Sequence, residues 1–185
     1  MKVRINPSGL GPLTALVVED NEHMRILLRT MLKAFGVREI HECKEGGEAL
    51  RFIKHKMPDF VLTDLAMVPM DGIEFIRAVR ALPDKSECVL PIIMVTGYTE
   101  RRRVEAARDA GVTEILCKPV TPVGLFHRIE EIILRPRPFV RTPTYCGPSR
   151  RRHNNPDYVG PWRRKEDADK GRETVSLDGQ ESTPV

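Results

Sequence analysis

Residues 60–72, Phe-Val-Leu-Thr-Asp-Leu-Ala-Met-Val-Pro-Met-Asp-Gly, decide the fold of this chain. The first five form a short apolar run that predicts a buried strand ending on a carboxylate, Asp64. In open α/β sheets, functional groups collect at the carboxyl ends of strands, so Asp64 stands where a reactive group would be displayed. Pro69 and the pair Asp71-Gly72 interrupt the chain before the next helix. Taken alone, the pattern fits a loop aspartate that only solvates a strand end equally well.

Strand and helix patterns alternate on both sides of this stretch. Apolar runs predict strands at 13–18, 37–43, 60–64, 91–95 and 113–117. Amphipathic spacing and capping residues predict helices at 21–35, 47–56, 72–82, 99–110 and 122–134. Five strands that alternate with five helices predict an α/β fold with a doubly wound parallel sheet.

Four of the predicted strands end on charged or hydroxyl side chains: Glu19 and Asp20, Asp64, Thr96, and Lys118. These five residues should face one pocket, because the carboxyl ends of parallel strands meet at one edge of the sheet. Crowded carboxylates raise one another's pKa unless a cation is present, and Mg²⁺ suits a site of oxygen ligands. Lys118 and the Thr96 hydroxyl would receive phosphoryl oxygens, while Asp64 supplies a carboxylate nucleophile.

The positive charge of the chain lies in its C-terminal part. Residues 1–134 carry 19 basic and 19 acidic residues, residues 135–165 carry nine basic and one acidic, and residues 166–185 carry two basic and six acidic. The three parts have net charges of 0, +8 and −4, which together give the +4 of the whole chain. We therefore predict a flexible arm at 1–12, a folded domain at 13–134, a disordered basic tail at 135–165 that binds an anionic partner, and a disordered acidic end at 166–185.

Several classes of protein are excluded by composition. The four cysteines are widely spaced, without the pairs typical of zinc sites or disulfide frameworks. No apolar run approaches membrane-spanning length, and residues 1–12 lack the apolar segment of a signal peptide. The tail has no periodic apolar face, so we do not expect a helix-turn-helix or sequence-specific DNA binding. The sequence predicts a cytoplasmic protein, monomeric and without membrane insertion.

The tail contains a repeat. Tyr145-Cys146-Gly147-Pro148-Ser149-Arg150-Arg151 is echoed 13 residues later by Tyr158-Val159-Gly160-Pro161-Trp162-Arg163-Arg164. Gly-Pro predicts a turn that aims the arginines, whose planar forks bind phosphate or the guanine edge, and the aromatic rings offer stacking surfaces. A doubled element suggests a ligand with two equivalent halves. The alternative is weak binding to nucleic acid or acidic lipid by charge alone.

The folded part resembles the receiver domain of bacterial response regulators, which have the CheY-like flavodoxin fold. The matching motifs are Val-Val-Glu-Asp-Asn at 17–21, the Asp64 stretch, Val-Thr-Gly at 95–97 and Cys-Lys-Pro at 117–119. The resemblance implies a strand order of 2-1-3-4-5, and a histidine kinase or phosphotransferase as partner. It implies Asp64 as phosphoacceptor, Glu19, Asp20, Asp64 and the Ala66 carbonyl as Mg²⁺ ligands, and Thr96 and Lys118 as switch residues. No turnover enzyme is implied.

Two positions depart from the receiver pattern. The proline after the phosphoacceptor usually stands one place earlier, where this chain has Val68 before Pro69. The position three before Lys118 usually holds an aromatic residue that moves with the threonine, and here it is Ile115. Isoleucine lacks a hydroxyl and is stiff at χ1, so we expect phosphorylation either to be weakly coupled to the output face or not to be the main input.

The tail resembles the arginine-rich C-terminal segment of the Cle proteins, CheY-like effectors of cyclic di-GMP in alphaproteobacteria. The resemblance implies that the tail orders on cyclic di-GMP and lets the receiver engage the flagellar motor switch complex, with recruitment to the flagellar base. The implied nucleotide-binding residues are Arg141, Tyr145, Gly147, Pro148, Arg150, Arg151, Arg152, Tyr158, Gly160, Pro161, Trp162, Arg163 and Arg164. The rival interpretation is a phosphorelay or chemotaxis regulator driven by a histidine kinase, whose tail binds only a protein partner.

Overall fold

The computed structural model describes residues 10, 12–98, 100–142 and 145–149, together with the backbone of 173–175 and 181–182. Its main sheet is parallel, with the strand order β2-β1-β3-β4-β5. The strands are β1 (Thr14–Val18), β2 (Glu39–Cys43), β3 (Phe60–Asp64), β4 (Ile92–Thr96) and β5 (Glu114–Cys117). The predicted fold class and strand order are confirmed.

Helices follow the strands and cover both faces of the sheet. They are α1 (Glu22–Ala34), α2 (Gly46–His55), α3 (Gly72–Arg80), α4 (Lys85–Cys88), α5 (Arg101–Asp109) and α6 (Pro122–Leu134). The side chains of Asn21, Asp71 and Thr121 cap α1, α3 and α6 by accepting a backbone N–H of the first turn. The short α4 was not predicted, because its four residues carry no amphipathic period. Among the described residues, no helix is long and apolar enough to cross a membrane.

The core has two layers, one on each face of the sheet. Along β1, Leu16 and Val18 belong to one apolar cluster, while Ala15 and Val17 belong to the other. This alternation follows from the period of two in a strand, and burial of both faces is typical of parallel sheets. Leu10 is only 1% exposed and packs in the second cluster, so the structure differs from a flexible arm at that residue. Residues 1–9 and 11 lie outside the described residues.

A second, antiparallel sheet follows α6, in the order β7-β6-β8-β9. Its strands are β6 (Phe139–Thr142), β7 (Tyr145–Pro148), β8 (Glu173–Val175) and β9 (Glu181–Ser182). This corrects the prediction that residues 135–165 and 166–185 are disordered throughout. The polar composition of the tail concealed two short strands that pair with each other, and β8, from the acidic end, pairs with the other edge of β6.

The tail hairpin, which we define as β6 and β7, packs against the domain at the amino edge of the main sheet. Phe139 is 2% exposed and lies in a small apolar cluster with Cys88 and Val89. Gly147 is buried, and a Cβ there would lie 2.7 Å from the Cα of Gly111, so the two glycines let the backbones meet. Gly147 and Pro148 thus end a strand and do not form the predicted turn.

Arg80 joins the hairpin to the domain. Its guanidinium is buried and donates to the carbonyl oxygens of Gly111, Cys88 and Leu90 at 2.9, 2.8 and 2.7 Å. It also lies over the Phe139 ring, 4.9 Å from the centroid. Burial lowers the pKa of Arg80 to about 10. A buried cation held by carbonyl oxygens fixes these segments together, because leaving those oxygens unpaired would be costly.

Candidate functional site

The close approach of α3 to the end of β3 fixes the position of Asp64. The Gly72 N–H donates to the Leu65 carbonyl at 2.9 Å. A Cβ on Gly72 would lie 2.1 Å from the Asp64 carbonyl oxygen, so glycine is required there for steric reasons. Asp64 itself is 7% exposed at the carboxyl edge of the sheet, where the sequence predicted it.

Three carboxylates meet at this edge. One oxygen each from Glu19, Asp20 and Asp64 lies within 4.8 Å of the others. Glu19 is 1% exposed and Asp20 is exposed, so the cluster has a buried side and a side open to water. The register that pairs Val18 with Thr63 brings the ends of β1 and β3 side by side. The predicted acidic cluster is therefore assembled by the fold.

Lys118 lies over the carboxylates. Its Nζ is 3.0 Å from Asp64 Oδ1 and 3.3 Å from Glu19 Oε2. Its backbone N–H donates to the Thr96 carbonyl at 2.8 Å, which holds the residue at the end of β5. One ammonium group therefore faces a cluster of three carboxylates, and the cluster keeps a net negative charge when all are ionised.

The electrostatics of the cluster follow from burial and like charge. Burial raises the pKa of Glu19, and the charge of Asp64 raises it further, against the lowering effect of Lys118. Burial alone would lower the pKa of Lys118, but its hydrogen bond to Asp64 and the charges of Asp64 and Glu19 raise it overall. The excess of negative charge favours a bound cation.

The donor set fits Mg²⁺. This ion prefers carboxylate oxygens, keeps several waters and binds phosphate at the same time. Glu19, Asp20 and Asp64 supply such oxygens, and the exposed side at Asp20 leaves room for water and a phosphoryl group. Ala66 lies beside them, with its N–H 3.3 Å from Asp64 Oδ2. The role of the Ala66 carbonyl as a ligand stays a prediction.

Thr96 and Ile115 occupy the places that the strand pattern gave them. The Thr96 hydroxyl is buried and accepts the Tyr98 N–H at 3.0 Å, which leaves its own proton to be donated. Ile115 pairs with Met94 in the sheet and packs against the first apolar cluster. At this position the domain has an aliphatic side chain that is part of its core packing and has no hydroxyl to pair with Thr96.

Arg25 is a residue of this region that sequence reasoning missed. It is buried on α1, and its Nη1 donates to the carbonyl oxygens of Glu19 and Asp20 at 2.7 and 3.0 Å. Its Nε lies 3.7 Å from Glu42 Oε2. Arg25 thus fixes the backbone of the acidic loop. Its position three residues before Leu28, on the apolar face of α1, was the available signal.

The predicted nucleotide-binding residues lie apart from this pocket or outside the described chain. Arg141, Tyr145, Gly147 and Pro148 are in the tail hairpin, at the amino edge of the sheet. The remaining predicted residues lie outside the described residues: Arg150, Arg151, Arg152, Tyr158, Gly160, Pro161, Trp162, Arg163 and Arg164. Their roles stay predictions.

Comparison with known proteins identifies the class of the folded domain. A profile of the response regulator receiver domain matches residues 15–130, and the chain belongs to that family. It is 36% identical over 120 residues to the chemotaxis protein CheY of Pseudomonas aeruginosa PAO1. The aligned region covers 65% of this chain and 95% of that protein. Receiver domains are phosphoacceptor signalling domains that bind Mg²⁺ at an acidic site, and they are generally not turnover enzymes.

Solved structures agree with this assignment. The Vibrio cholerae chemotaxis protein CheY4 matches with a TM-score of 0.60 and 28% identity, covering 65% of this chain and 98% of that one. The receiver domain of a sensor histidine kinase from Pseudomonas aeruginosa PAO1 matches with a TM-score of 0.59 and 26% identity. The match covers 64% of this chain and 95% of that one. That structure has a magnesium ion coordinated in its active-site cleft.

Proposed function

We propose that this protein is a CheY-like response regulator in which Asp64 accepts a phosphoryl group. The observation that carries the proposal is the contact of 3.0 Å between Lys118 Nζ and Asp64 Oδ1, beside the carboxylates of Glu19 and Asp20. The chemical arrangement favours an anionic nucleophile with a cation ready for the incoming phosphoryl oxygens.

In the reaction, a carboxylate oxygen of Asp64 attacks phosphorus in a phosphohistidine or a small acyl phosphate. The bond from phosphorus to the donor breaks, and the donor leaves with that electron pair. Asp64 Oδ2 faces the Ala66 N–H, which orients the carboxylate. When bound, Mg²⁺ would be held by Glu19, Asp20 and Asp64 and would neutralise charge on the transferred group. Lys118 and the Thr96 hydroxyl would bind the phosphoryl oxygens.

Phosphorylation of three purified proteins tests this role. The wild type, Asp64→Asn and Asp59→Asn are incubated with acetyl phosphate and Mg²⁺ and separated on a phosphate-affinity gel. Asp59 precedes β3 at the opposite end from Asp64, and its Oδ2 accepts the Thr14 N–H at 2.7 Å, which an amide oxygen can also do. We expect labelling of the wild type and Asp59→Asn and none of Asp64→Asn. An unlabelled wild type, or an equally labelled Asp64→Asn, contradicts the proposal.

We further propose that the tail binds cyclic di-GMP. The supporting features are the net charge of +8 over residues 135–165 and the doubled Tyr-x-Gly-Pro-x-Arg-Arg element. Cyclic di-GMP presents two guanines and two phosphates, and arginine forks and aromatic rings suit both groups.

The tail hairpin refines this proposal. In the first copy of the element, Gly147 and Pro148 are buried and the Tyr145 hydroxyl donates to the Pro148 carbonyl at 2.9 Å. The Ser149 N–H donates to the Pro138 carbonyl at 2.7 Å, so the chain is anchored up to the residue before Arg150. We propose that the first copy is an anchor whose arginines start at a fixed edge of the receiver, while the second copy closes on the ligand. The two copies are then unequal partners.

Calorimetric titration of cyclic di-GMP tests this binding. A chain ending at Ser149 keeps β6 and β7 and removes all later arginines, together with β8 and β9. We expect binding to the full chain, weaker at higher salt, and none to the truncation or to a variant with Arg150, Arg151, Arg163 and Arg164 changed to alanine. Alanine at Arg101, Arg102 and Arg103 on α5 is the matched control. Retained affinity in the tail variant would contradict the proposal.

The proposed output is control of flagellar motility and surface attachment. Loading of the tail would govern docking of the receiver to the flagellar motor switch complex, in the cytoplasm at the flagellar base, and phosphorylation of Asp64 would be a second input. The rival function is a histidine-kinase-driven chemotaxis or phosphorelay regulator whose tail binds only protein. Absence of any nucleotide binding in the titration, with intact phosphorylation, would favour the rival.

A further inference from the structure

Two cysteines meet where the tail hairpin packs against the receiver. Cys88, at the end of α4, is 1% exposed and lies in the apolar cluster with Val89 and Phe139. Cys146, on β7, packs against the same cluster and is only partly buried. They are 58 positions apart in the chain, and one belongs to the receiver while the other belongs to the tail. Both are reduced thiols in this structure.

The environment makes the two thiols unequal. Cys88 and Cys146 are hydrogen-bonded through their side chains. This bond and the charges of Arg80 and Arg141 lower the pKa of Cys146 to about 6, against the effect of burial, while the bond and burial raise the pKa of Cys88. These effects favour ionisation of Cys146 over ionisation of Cys88, with Cys88 as the hydrogen-bond donor.

The buried guanidinium of Arg80 gives a second reason for a thiolate here. Among the described residues, its hydrogen-bond partners are carbonyl and hydroxyl oxygens, and it makes no ion pair with a carboxylate. A buried cation is stabilised by an opposite charge nearby, and ionised Cys146 supplies one. A partly exposed, low-pKa thiol next to a second thiol is the arrangement found in redox-sensitive cysteine pairs.

We propose that Cys88 and Cys146 form a peroxide-sensitive pair whose disulfide ties the tail hairpin covalently to the receiver domain. The thiolate of Cys146 attacks one oxygen of hydrogen peroxide, the O–O bond breaks, and the leaving hydroxide takes up a proton to form water. The sulfur of Cys88 then attacks the sulfenic acid of Cys146, the S–O bond breaks, and the oxygen leaves as a second water with the Cys88 proton. Two thiols lose two electrons, and peroxide is reduced to two waters.

The disulfide would keep the tail hairpin attached to the receiver even when the noncovalent contacts between them break. In the reduced protein, the hairpin can separate from the receiver without breaking a covalent bond, and in a reducing cytosol the bond would form only under oxidant. The oxidised protein would keep the first copy of the repeated element fixed at the receiver edge. This inference requires neither phosphorylation nor a nucleotide, so its test is separate from those above.

Peptide mapping of the full-length protein is the first test. Protein treated with hydrogen peroxide is alkylated and digested with trypsin, which places Cys88, Cys117 and Cys146 in different peptides. We expect a linked pair of the Cys88 and Cys146 peptides that disappears on reduction and in Cys146→Ser. Cys117→Ser is the control, because Cys117 is exposed on β5 and lies outside the pair. Oxidation confined to Cys117, or links only between molecules, would overturn the proposal.

Two further measurements test the proposal without the Cys146→Ser variant. Cys88→Ala removes the second thiol, so oxidation of Cys146 should stop at the sulfenic acid. This variant should therefore react with a dimedone probe far more than the wild type does. In the oxidised wild type, hydrogen exchange at the β6 and β7 amides should slow by about tenfold or more relative to the reduced protein. A linked pair that leaves this exchange unchanged would refute the covalent tie.

Discussion

The two edges of the main sheet are built by opposite means. At the carboxyl edge, Asp64, Glu19 and Lys118 crowd charges together in a cluster that stays open to water at Asp20. At the amino edge, the tail hairpin excludes water, with Phe139 buried in an apolar cluster and Arg80 held by carbonyl oxygens. At the carboxyl edge, like charges repel one another until a cation binds. At the amino edge, the buried polar groups described above already have hydrogen-bond partners.

The difference teaches where function and stability are placed in this fold. At the carboxyl edge, burial and then the charge of Asp64 disfavour the ionised form of Glu19, as its raised pKa indicates, and a bound cation would offset this cost. The amino edge gains stability from burial and hydrogen bonding, and so it can hold the tail in place. Substitutions at the two edges should therefore change the stability of the protein in opposite directions, or affect different parts of the chain.

The largest effect is expected for Gly72→Ala, which breaks the carboxyl edge itself. A Cβ there would lie 2.1 Å from the Asp64 carbonyl oxygen, and backbone atoms cannot move aside without displacing β3 or α3. We expect a loss of about 3 kcal/mol or more in the free energy of unfolding, measured by urea denaturation. Gly97→Ala is the control, since no described residue beyond its two chain neighbours has an atom within 4 Å of the added Cβ. Equal stability of the two variants would contradict this account.

The carboxyl edge was predictable from sequence because each strand places its functional residue directly after its own apolar run. Asp64 and Lys118 could be located from strand ends alone, and their meeting follows from parallel order. The amino edge was not predictable, because Arg80, Gly111 and Gly147 meet only through the path of a tail that looks polar throughout. Arg25 was missed for a related reason, since a single arginine on an apolar helix face does not reveal which carbonyl oxygens it contacts.

At the amino edge, Gly147→Ala should release the tail hairpin and leave the receiver folded. The added Cβ would lie 2.7 Å from the Gly111 Cα and 2.6 Å from the Tyr145 hydroxyl. We expect a cost of about 2 kcal/mol confined to β6 and β7, seen as faster hydrogen exchange of their amides. The amides of β1 and β3 serve as the internal control. Uniform loss of protection across the main sheet would mean that the hairpin is part of the receiver's own folding unit.

Glu19→Gln should sharpen the contrast, because it is expected to stabilise the protein in EDTA. The folded pKa of Glu19 is raised, so its protonated form favours folding, and stability is lost as pH rises from the unfolded value through the folded one. Replacing it with a neutral amide should add on the order of 1 kcal/mol at pH 7 and flatten the pH profile.

Added Mg²⁺ should make the wild type more stable than Glu19→Gln, which reverses their order of stability in EDTA. At a concentration a hundred times its Kd, a bound ion stabilises the wild type by about 2.7 kcal/mol, and Glu19→Gln should gain less because it lacks one carboxylate. Thermal denaturation in EDTA and in Mg²⁺ measures both effects. A variant that is less stable than wild type in EDTA would show that the charge of Glu19 does not destabilise the folded protein. A variant that gains as much from Mg²⁺ as wild type would show that Glu19 does not contribute to the cation site.

The smallest expected effect concerns Arg137, which links the tail to β5. Its Nη2 donates to the Thr113 carbonyl and lies 3.2 Å from Glu114 Oε1, on a side chain that is 24% exposed. Arg137→Met keeps most of the packing and should cost about 0.5–1 kcal/mol, with faster exchange in β6. Arg128→Met is the matched control, because Arg128 lies 3.6 Å from the same carboxylate but is on α6. If Arg128→Met loosens β6 as much as Arg137→Met, the charge of Glu114 and not the Arg137 contact would hold the tail.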